Sequence, residues 1–347
     1  MPDLENHTPY SALSLPSMAP DGADLLLVVV SGRFDLPPAG RARPEDLRPS
    51  TEQPPVLLHD EYHGPPEASS LRYEGQSAPQ RLATDVVLLG HAWAPRGVPD
   101  KRVDVTLAVA RAFTKSVAVF GERVFTQGVG VIVPSAPRPF VSMPLVYERA
   151  FGGAEPGDQA PREFEPKNPV GRGFFRSASQ ALDQPVPNLE DPRRLLRTAT
   201  DRPAPAGFGP IARSWQPRVG FGGTYDQRWI EERAPAWPPD FDPRFFNAAP
   251  PDQQVRGHLR GGEHVAVGGA HPDGDLHFEV PRDRLLLKGY FRGRVERKLL
   301  TLDSLVIEPD ERALTVTWRG TFALPRGMTE HERCVVRPLE PWEDAPR

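Results

Sequence analysis

The chain has 347 residues, and its 42 basic and 46 acidic residues give a formal net charge of −4. Because there is no excess of positive charge to neutralise phosphates, nucleic acid and anionic membrane surfaces are poor candidates for partners. Proline is the unusual residue, at 43 positions. Each proline fixes φ and removes a backbone donor, so the composition predicts short strands, strand edges and ordered loops instead of long helices.

Cysteine use and hydropathy indicate the compartment. A single cysteine, Cys334, excludes an internal disulfide and a cysteine-based zinc cluster. Residues 1–22 contain no apolar core flanked by positive charge, so no secretory signal is predicted there. The longest aliphatic run, residues 25–30, is far shorter than the roughly 20 residues that cross a membrane. We therefore expect a cytoplasmic protein.

The N-terminal β region, residues 24–133, is predicted to consist of strands separated by breakers. Buried strands are expected over residues 24–34 and 86–93. Residues 103–109 alternate between aliphatic and more polar side chains, which predicts one face on a core and one toward water. Residues 115–133 are predicted to form a hairpin that turns at Gly121-Glu122.

The remaining chain divides into a central region at 134–254, a C-terminal β region at 255–322 and a tail at 323–347. The central region is rich in proline, glycine and aromatic residues, and only residues 189–197 and 252–256 are predicted to form short helices. The predicted C-terminal strands are 263–267, 276–280, 285–290, 304–308 and 313–321. In the last of these strands, apolar side chains alternate with threonines.

Alternating patterns at both ends of the chain predict an all-β fold. We expect mainly antiparallel, sandwich-like sheets, with the proline-rich and irregular central region packed on them and few short helices. All 347 residues are predicted to form one unit.

The histidines do not predict a metal site. His59 and His63 have the spacing of metal ligands on a helix, but prolines on both sides favour a solvated loop. Three further histidines, at positions 264, 271 and 277, fall at ordinary positions of the C-terminal strands. No nucleophile elbow and no phosphate-binding loop is present. We expect no metal and no cofactor.

Long sequence blocks between residues 143 and 263 carry the most specific signal. They are MPLVYERAFGG at 143–153, NPVGRG at 168–173, PNLE at 187–190, GFGP at 207–210, GTYD at 223–226, DFD at 240–242, RFF at 244–246, APPDQ at 249–253 and LRGGE at 259–263. With these blocks in this order, the chain from about residue 26 to about residue 322 resembles the bacterial domain-of-unknown-function 2169 family. Members of that family are associated with type VI secretion loci.

The resemblance implies a non-catalytic adaptor or chaperone in the cytoplasm. Such a protein binds a cognate effector, often one that carries a PAAR domain, and helps to load it onto the VgrG spike. The composition agrees in kind, because a surface rich in Arg, Trp, Tyr and Phe is typical of a protein interface.

Eight residues of the central region are predicted to bind the partner. They are Glu148, Arg149, Arg172, Tyr225, Trp229, Asp240, Asp242 and Arg244. They combine aromatic anchors with charges that form bidentate pairs, the composition in which interface hot spots are enriched. In the alternative interpretation they hold the irregular region together, with Arg172 and Arg244 buried against neighbouring aspartates. Those aspartates would be Asp226, Asp240 or Asp242.

Two rival functions remain open at this stage. A hydrolase or metal-dependent enzyme would use the central carboxylates Glu148, Asp240 and Asp242, and a strongly perturbed carboxylate in a pocket would favour it. A structural component of the secreted spike would instead leave the cell with the effector in fixed stoichiometry.

Overall fold

Strands make up most of the ordered structure. A computed structural model describes residues 3–41, 47–155 and 163–346. The strands in chain order are β1 (Leu4–Asn6), β2 (Ser11–Met18), β3 (Asp24–Asp35), β4 (Arg48–Pro49), β5 (Glu61–Tyr62), β6 (Leu71–Tyr73), β7 (Ala83–Leu88), β8 (His91–Trp93), β9 (Arg102–Val109), β10 (Phe113–Phe120), β11 (Phe125–Gln127), β12 (Ile132–Pro134), β13 (Ser142–Pro144), β14 (Phe151–Gly152), β15 (Arg172–Gly173), β16 (Leu189–Glu190), β17 (Gln254–Arg256), β18 (His264–Gly268), β19 (Leu276–Glu279), β20 (Leu285–Phe291), β21 (Arg294–Leu299), β22 (Thr301–Glu308), β23 (Ala313–Ala323) and β24 (His331–Pro338).

Helical structure is sparse, as the proline content predicts. Within the described ranges one short α-helix occurs, α1 (Gln227–Glu232). Single 3₁₀ turns cover Pro95–Gly97, Tyr147–Arg149, Ala178–Ala181, Arg218–Phe221, Pro243–Phe246, Pro251–Gln253 and Met328–Glu330.

The largest sheet joins the two ends of the chain. Its strand order is β17-β7-β22-β23-β3-β2, with β4 paired to β3. All neighbours are antiparallel except β7 and β22. The longest pairing matches residues 25–35 of β3 with residues 313–323 of β23. The N-terminal and C-terminal β regions therefore share one sheet.

Two further sheets complete the layered architecture. The five-stranded sheet has the order β16-β10-β9-β18-β19 and is antiparallel throughout. The four-stranded sheet has the order β1-β24-β20-β21, in which only β1 and β24 run parallel. Four two-stranded ladders pair β5 with β6, β8 with β13, β11 with β12 and β14 with β15.

One hydrophobic core lies between the three larger sheets. Its buried side chains include Val30 and Trp318 from the largest sheet, Leu107 from the five-stranded sheet, and Leu287 and Val336 from the four-stranded sheet. Strand β9 alternates as its sequence predicts, with its four aliphatic residues buried. The predicted fold, mainly antiparallel β with an irregular central region and few helices, is confirmed.

Three local predictions are wrong, and long-range pairing explains them. Residues 252–256 form no helix beyond the 3₁₀ turn at Pro251–Gln253, because Gln254–Arg256 forms β17 and pairs with β7. Strand β10 forms its hairpin with β9, through a turn in which Arg111 has φ 64°, while β11 pairs with β12. Residues 115–133 therefore do not form one hairpin. Residues 189–197 form no helix, because Leu189 and Glu190 add strand β16 to β10. Pro192 also disfavours a helical conformation at the residue before it.

The strand boundaries at 86–93 and at the C terminus also differ from expectation. Gly90, at φ 137°, divides the first of these segments into β7 and β8, a backbone conformation that glycine permits. The predicted tail at 323–347 contains β24, whose Cys334 is fully buried. Strand β24 lies between β1 and β20. Its pairing with these distant strands explains why the hydrophobic pattern of residues 331–338 alone did not predict a strand.

Candidate functional site

Three of the predicted partner residues meet in one polar cluster. We define the Glu148 cluster as Glu122, Glu148, Arg149, Arg172 and Asn188. Arg149 Nη1 donates to Glu122 Oε1 at 2.5 Å and to Asn188 Oδ1 at 3.1 Å. Arg172 Nε donates to the Glu148 carbonyl oxygen at 3.0 Å. The cluster therefore ties β15 and the loop before β16 to the turn at Tyr147–Arg149.

The Glu148 carboxylate bonds within the protein. Its two oxygens accept hydrogen bonds from the backbone N–H and the hydroxyl of Ser70, both at 2.7 Å. Glu148 therefore anchors the turn at Tyr147–Arg149 to Ser70.

Charges within the Glu148 cluster compensate one another. Burial raises the pKa of Glu122, but the hydrogen bond from Arg149 and the charges of Arg149 and Arg172 outweigh burial, so the pKa of Glu122 lies below its usual value. Burial and the neighbouring charge of Arg149 lower the pKa of Arg172. Both arginine side chains are about one quarter exposed, at 25% and 27%. The cluster is thus a half-buried scaffold.

The glycine pairs of two sequence blocks have a packing explanation. Asn168 is fully buried, and its amide donates to the carbonyl oxygens of Tyr147 at 2.8 Å and Phe151 at 3.0 Å. A Cβ on Gly152 would lie 2.2 Å from the Asn168 carbonyl oxygen, and φ there is 153°. A Cβ on Gly171 would lie 2.3 Å from the Asn168 amide nitrogen. The glycines of these two blocks are therefore needed where the backbone at Gly152 passes close to the backbone at residues 168–171.

The other five predicted residues lie in a separate unit, which we call the aromatic lobe and define as residues 218–246. Asp226 caps α1 by accepting from the Trp229 backbone N–H at 2.8 Å. The Trp229 ring nitrogen donates to the Ala236 carbonyl oxygen at 2.8 Å. Tyr225 packs edge-on against Trp229 with ring centroids 4.7 Å apart. Four further rings pack together in the lobe, namely Trp237, Phe241, Phe245 and Phe246.

The aspartates of the aromatic lobe bond to other residues of the lobe. Asp240 accepts from the Thr224 backbone N–H at 3.0 Å and from its hydroxyl at 2.7 Å, which lowers the pKa of Asp240. Asp242 accepts from Arg244 Nε at 2.8 Å, and this bond lowers the pKa of Asp242. Both carboxylates are stabilised in the ionised form. A general acid at neutral pH needs the opposite shift.

Arg244 is exposed, so the alternative interpretation, in which it is buried against an aspartate, is wrong for this residue. It pairs with Asp242, but 59% of its side chain is accessible, and its guanidinium lies 4.3 Å from the centroid of the Phe221 ring. Because Arg244 is only two positions from Asp242, the two side chains can pair without Arg244 becoming buried. Arg172 is also not buried against an aspartate, because its contacts are with the Glu148 carbonyl oxygen and Glu122.

The aromatic lobe is fixed to the sheets by a buried arginine that sequence reasoning missed. Arg218 is 2% exposed and donates to the carbonyl oxygens of Ile211 at 2.6 Å and Phe245 at 2.7 Å, and to Glu74. Burial raises the pKa of Glu74, but the charges of Arg81, Arg218 and Arg213 outweigh burial and hold that pKa below its usual value. No periodic pattern surrounds Arg218 that would have identified it.

A cavity of about 260 Å³ was also not predicted. It lies on the face of the largest sheet opposite the core, beneath residues 54–76. Its wall includes side chains from β3, β7, β22 and β23, among them Ser31, Arg33, Val87, Ser304, Val306, Glu308, Thr315, Thr317 and Arg319. The threonines that alternate along β23 are the one signal in the sequence, and they face this cavity instead of open water.

The two groups of predicted residues are separate. Among the described residues, no hydrogen bond or ion pair joins the Glu148 cluster to the aromatic lobe. Nor does any set of three or more His, Cys, Asp or Glu side chains in these ranges have a geometry that would hold a metal ion. No helix in the described parts of the chain has the length and apolar character to cross a membrane.

The fold and the site define a class of protein: a layered, mainly antiparallel β protein that carries an irregular region with an exposed aromatic lobe. The chain matches the family described as "Uncharacterized protein conserved in bacteria (DUF2169)" over residues 21–319, and it belongs to this family. No curated protein and no solved structure matches it. The matched span contains both the Glu148 cluster and the aromatic lobe.

Proposed function

We propose that this protein is a non-catalytic adaptor or chaperone of the cytoplasm that binds a type VI secretion effector. Its cognate effector would often carry a PAAR domain, and binding would help to load it onto the VgrG spike. The role is the one that the resemblance implies for the family. The observation that supports it best is the exposed surface of the aromatic lobe.

The aromatic lobe has the features of an interface that is ready before the partner arrives. Tyr225 and Ile230 are each 57% exposed, yet Tyr225 packs on Trp229, whose ring nitrogen is hydrogen-bonded within the lobe. Holding an aromatic side chain in place before binding lowers the entropy lost on association. Tyrosine, tryptophan and arginine are also the residues in which binding hot spots are enriched.

We assign the predicted partner residues two different roles. Tyr225, Trp229 and Arg244 belong to the aromatic lobe, in which Asp240 bonds to Thr224 and Asp242 to Arg244. The side chains of the Glu148 cluster form their hydrogen bonds within the protein. We therefore propose that the partner binds to the aromatic lobe and that the Glu148 cluster only supports the fold of the central region.

One observation favours the enzyme alternative, although not through the residues predicted for it. Glu308 is 5% exposed in the wall of the cavity, where it accepts a hydrogen bond from the Tyr73 hydroxyl. Burial raises the pKa of Glu308. A perturbed carboxylate in a cavity is a feature of active sites, and also of buried polar networks without catalytic function.

The test is co-purification of the tagged, full-length protein from its own host, followed by identification of the bound proteins. The adaptor role predicts that an effector with its PAAR domain, or VgrG, is enriched from the cell lysate and that the tagged protein stays in the cells. Matched purification of a Tyr225→Ala/Ile230→Ala double variant should lose that enrichment. Enrichment of no type VI component would contradict the proposal. Recovery of the tagged protein from the secreted fraction, in fixed ratio to the effector, would instead identify a spike component.

A further inference from the structure

The side of the four-stranded sheet that faces away from the core is rich in basic residues. Its side chains alternate along the strands with the buried Leu287, Cys334 and Val336. The strand register places ten residues on this side, and we call them the basic face: Glu5 of β1, Arg333, Val335 and Arg337 of β24, Leu286, Lys288 and Tyr290 of β20, and Val295, Arg297 and Leu299 of β21. Four of these residues are basic and one is acidic.

The acidic residues of the four strands leave one end of the basic face without negative charge. Glu5 lies at the other end, where it accepts from Arg333 at 2.7 Å. Glu296 of β21 points to the core side of the sheet, because it lies opposite Gly289, and it pairs there with Arg294 at 3.3 Å. Among the described strand residues, no acidic one therefore lies on this face beside Lys288, Arg297 and Arg337.

The segment that follows β24, residues 339–344, brings its own carboxylate to this end of the face. Both oxygens of Glu343 accept hydrogen bonds from the Nη atoms of Arg337, each at 2.6 Å. Arg297 Nη2 lies 3.6 Å from Glu343 Oε1. Because β20 lies between β24 and β21, one carboxylate links arginines from two strands that are not neighbours. Leu286 of β20 points to the same side and is 1% exposed, as expected beneath a covering segment.

The rest of the basic face is open and presents a fixed aromatic ring. Lys288 Nζ lies 4.7 Å from the centroid of the Tyr290 ring, and the Arg333 guanidinium lies 4.5 Å from it. Val295, on the edge strand β21, is 55% exposed. An aromatic ring held between two cations, next to an aliphatic side chain, can contact the apolar side chains of a peptide while the cations bind its carboxylates.

We propose that the basic face binds a short acidic segment of another protein, and that residues 339–344 occupy one end of the face until that segment replaces them. Charge complementarity favours an acidic partner. The Glu343 contact provides the model for recognition, since bidentate arginine–carboxylate bonds are strong and directional. Val295 and Val335 lie among the cations and favour a peptide over a nucleic acid. This inference concerns a surface other than the aromatic lobe and does not depend on the adaptor role.

The test is the binding of a dye-labelled peptide, with the sequence of residues 339–344, to the full-length protein. Fluorescence anisotropy is measured at low ionic strength, because salt screens exposed charges. Glu343→Gln should bind the peptide at least about fivefold more tightly than the unaltered protein, since an attached segment competes at a roughly millimolar effective concentration. Glu340→Gln is the matched control and should bind like the unaltered protein. It removes the same charge from the same segment, and Glu340 contributes a backbone N–H to the contact, at 3.2 Å from Glu343.

Variants of the sheet locate the binding site. In the Glu343→Gln background, Arg297→Gln should weaken peptide binding by at least about threefold, the size of one exposed charge pair. Arg102→Gln is the matched control in that background and should leave binding unchanged. Arg102 is a strand arginine of the five-stranded sheet, and its side chain is 40% exposed, against 45% for Arg297. A peptide with amides in place of its three carboxylates should bind at least about fivefold more weakly than the acidic peptide.

Four results would overturn the proposal. They are no binding of the acidic peptide to Glu343→Gln, equal binding of the acidic and amide peptides, equal affinity in Arg297→Gln and Arg102→Gln, and tighter binding of a single-stranded oligonucleotide than of the peptide. Should Glu343→Gln fold poorly, Lys288→Gln and Arg102→Gln are compared in the otherwise unaltered protein, because Lys288→Gln leaves both arginines of the Glu343 contact in place. Lys288→Gln should then bind the peptide more weakly, and equal affinity would again contradict the proposal.

Discussion

The Glu148 cluster and the aromatic lobe both combine arginines with carboxylates but have different physical roles. All their residues except Glu122 lie in the irregular central region. In the Glu148 cluster the polar atoms bond to backbone groups that meet across the chain, as Arg172 does with the Glu148 carbonyl oxygen. In the aromatic lobe, Asp240 bonds to Thr224 and Asp242 to Arg244, all within the lobe, and Tyr225 and Ile230 stay exposed. Composition thus finds such regions without separating scaffold from surface.

The largest expected effect concerns Arg218, the buried arginine that fixes the aromatic lobe to the rest of the protein. Arg218→Ala should reduce the free energy of unfolding by about 3–5 kcal/mol, because it removes one member of a buried ion network. It also leaves the carbonyl oxygens of Ile211 and Phe245 without their donor. Urea denaturation measures the loss. Arg244→Ala, in the exposed part of the same lobe, is the control and should leave the free energy of unfolding nearly unchanged. Equal losses in the two variants would break the distinction between anchor and surface.

A second prediction examines the scaffold side of the comparison. Asn168→Ala should cost about 2–3 kcal/mol, because two buried carbonyl oxygens, on Tyr147 and Phe151, lose their shared donor. Thermal and urea unfolding both report this change. Asn6→Ala is the matched control, because its amide donates to one carbonyl oxygen near an exposed chain segment. A cost below about 0.5 kcal/mol for Asn168→Ala would show that the backbone crossing does not need this side chain.

Sequence reasoning succeeded where the structure depends on local pattern. The alternation in β9 predicts which of its faces is buried, and Pro and Gly predict an irregular centre. It failed where partners are distant in the chain. Residues 115–133 carry the pattern of a hairpin, yet β10 pairs with β9 instead. The cavity wall combines residues from near position 31 to position 319, which only the sheet order brings together.

The contacts of the predicted partner residues also divide into local ones, which the sequence indicates, and distant ones, which it does not. Tyr225 lies just before Asp226, the N-cap of α1, and is four residues from Trp229, so their ring contact is local in the sequence. Asp242 and Arg244 are close for the same local reason. That Arg172 contacts Glu148 follows from the pairing of β14 with β15, and no local pattern in either block predicts that pairing.

A third prediction uses pH to compare the cavity with the surface. Because burial raises the pKa of Glu308 in the folded protein, the folded state binds its proton more tightly than the unfolded state. Ionisation therefore destabilises the fold progressively as pH rises from the unfolded pKa through the raised one. Glu308→Gln cannot ionise, so its stability relative to the unaltered protein should increase between pH 4 and pH 8.

Urea denaturation across that pH range checks the sign. Glu232→Gln is the control, because Glu232 is exposed on α1 and pairs only with Arg228. It should stay within about 0.5 kcal/mol of the unaltered protein throughout. A stability difference for Glu308→Gln that falls as pH rises would contradict the assignment of a buried, proton-binding carboxyl.

The smallest expected effect on stability belongs to the surface of the aromatic lobe. Tyr225→Ala/Ile230→Ala should change the free energy of unfolding by less than about 1 kcal/mol, since both side chains are more than half exposed. Arg172→Ala is the matched scaffold variant and should lose about 1–2 kcal/mol, because its hydrogen bond to the Glu148 carbonyl oxygen is half-buried.

Whether the aromatic lobe is the partner surface is tested most directly by the affinity of these two variants for the co-purified effector, measured together with their unfolding free energies. We expect Tyr225→Ala/Ile230→Ala to weaken effector binding by at least about 30-fold, or 2 kcal/mol, the size of a hot-spot loss. Arg172→Ala should bind nearly normally below its melting temperature. If Arg172→Ala loses the effector while the double variant keeps it, or if affinity falls in proportion to stability in both, the aromatic lobe is not the partner surface.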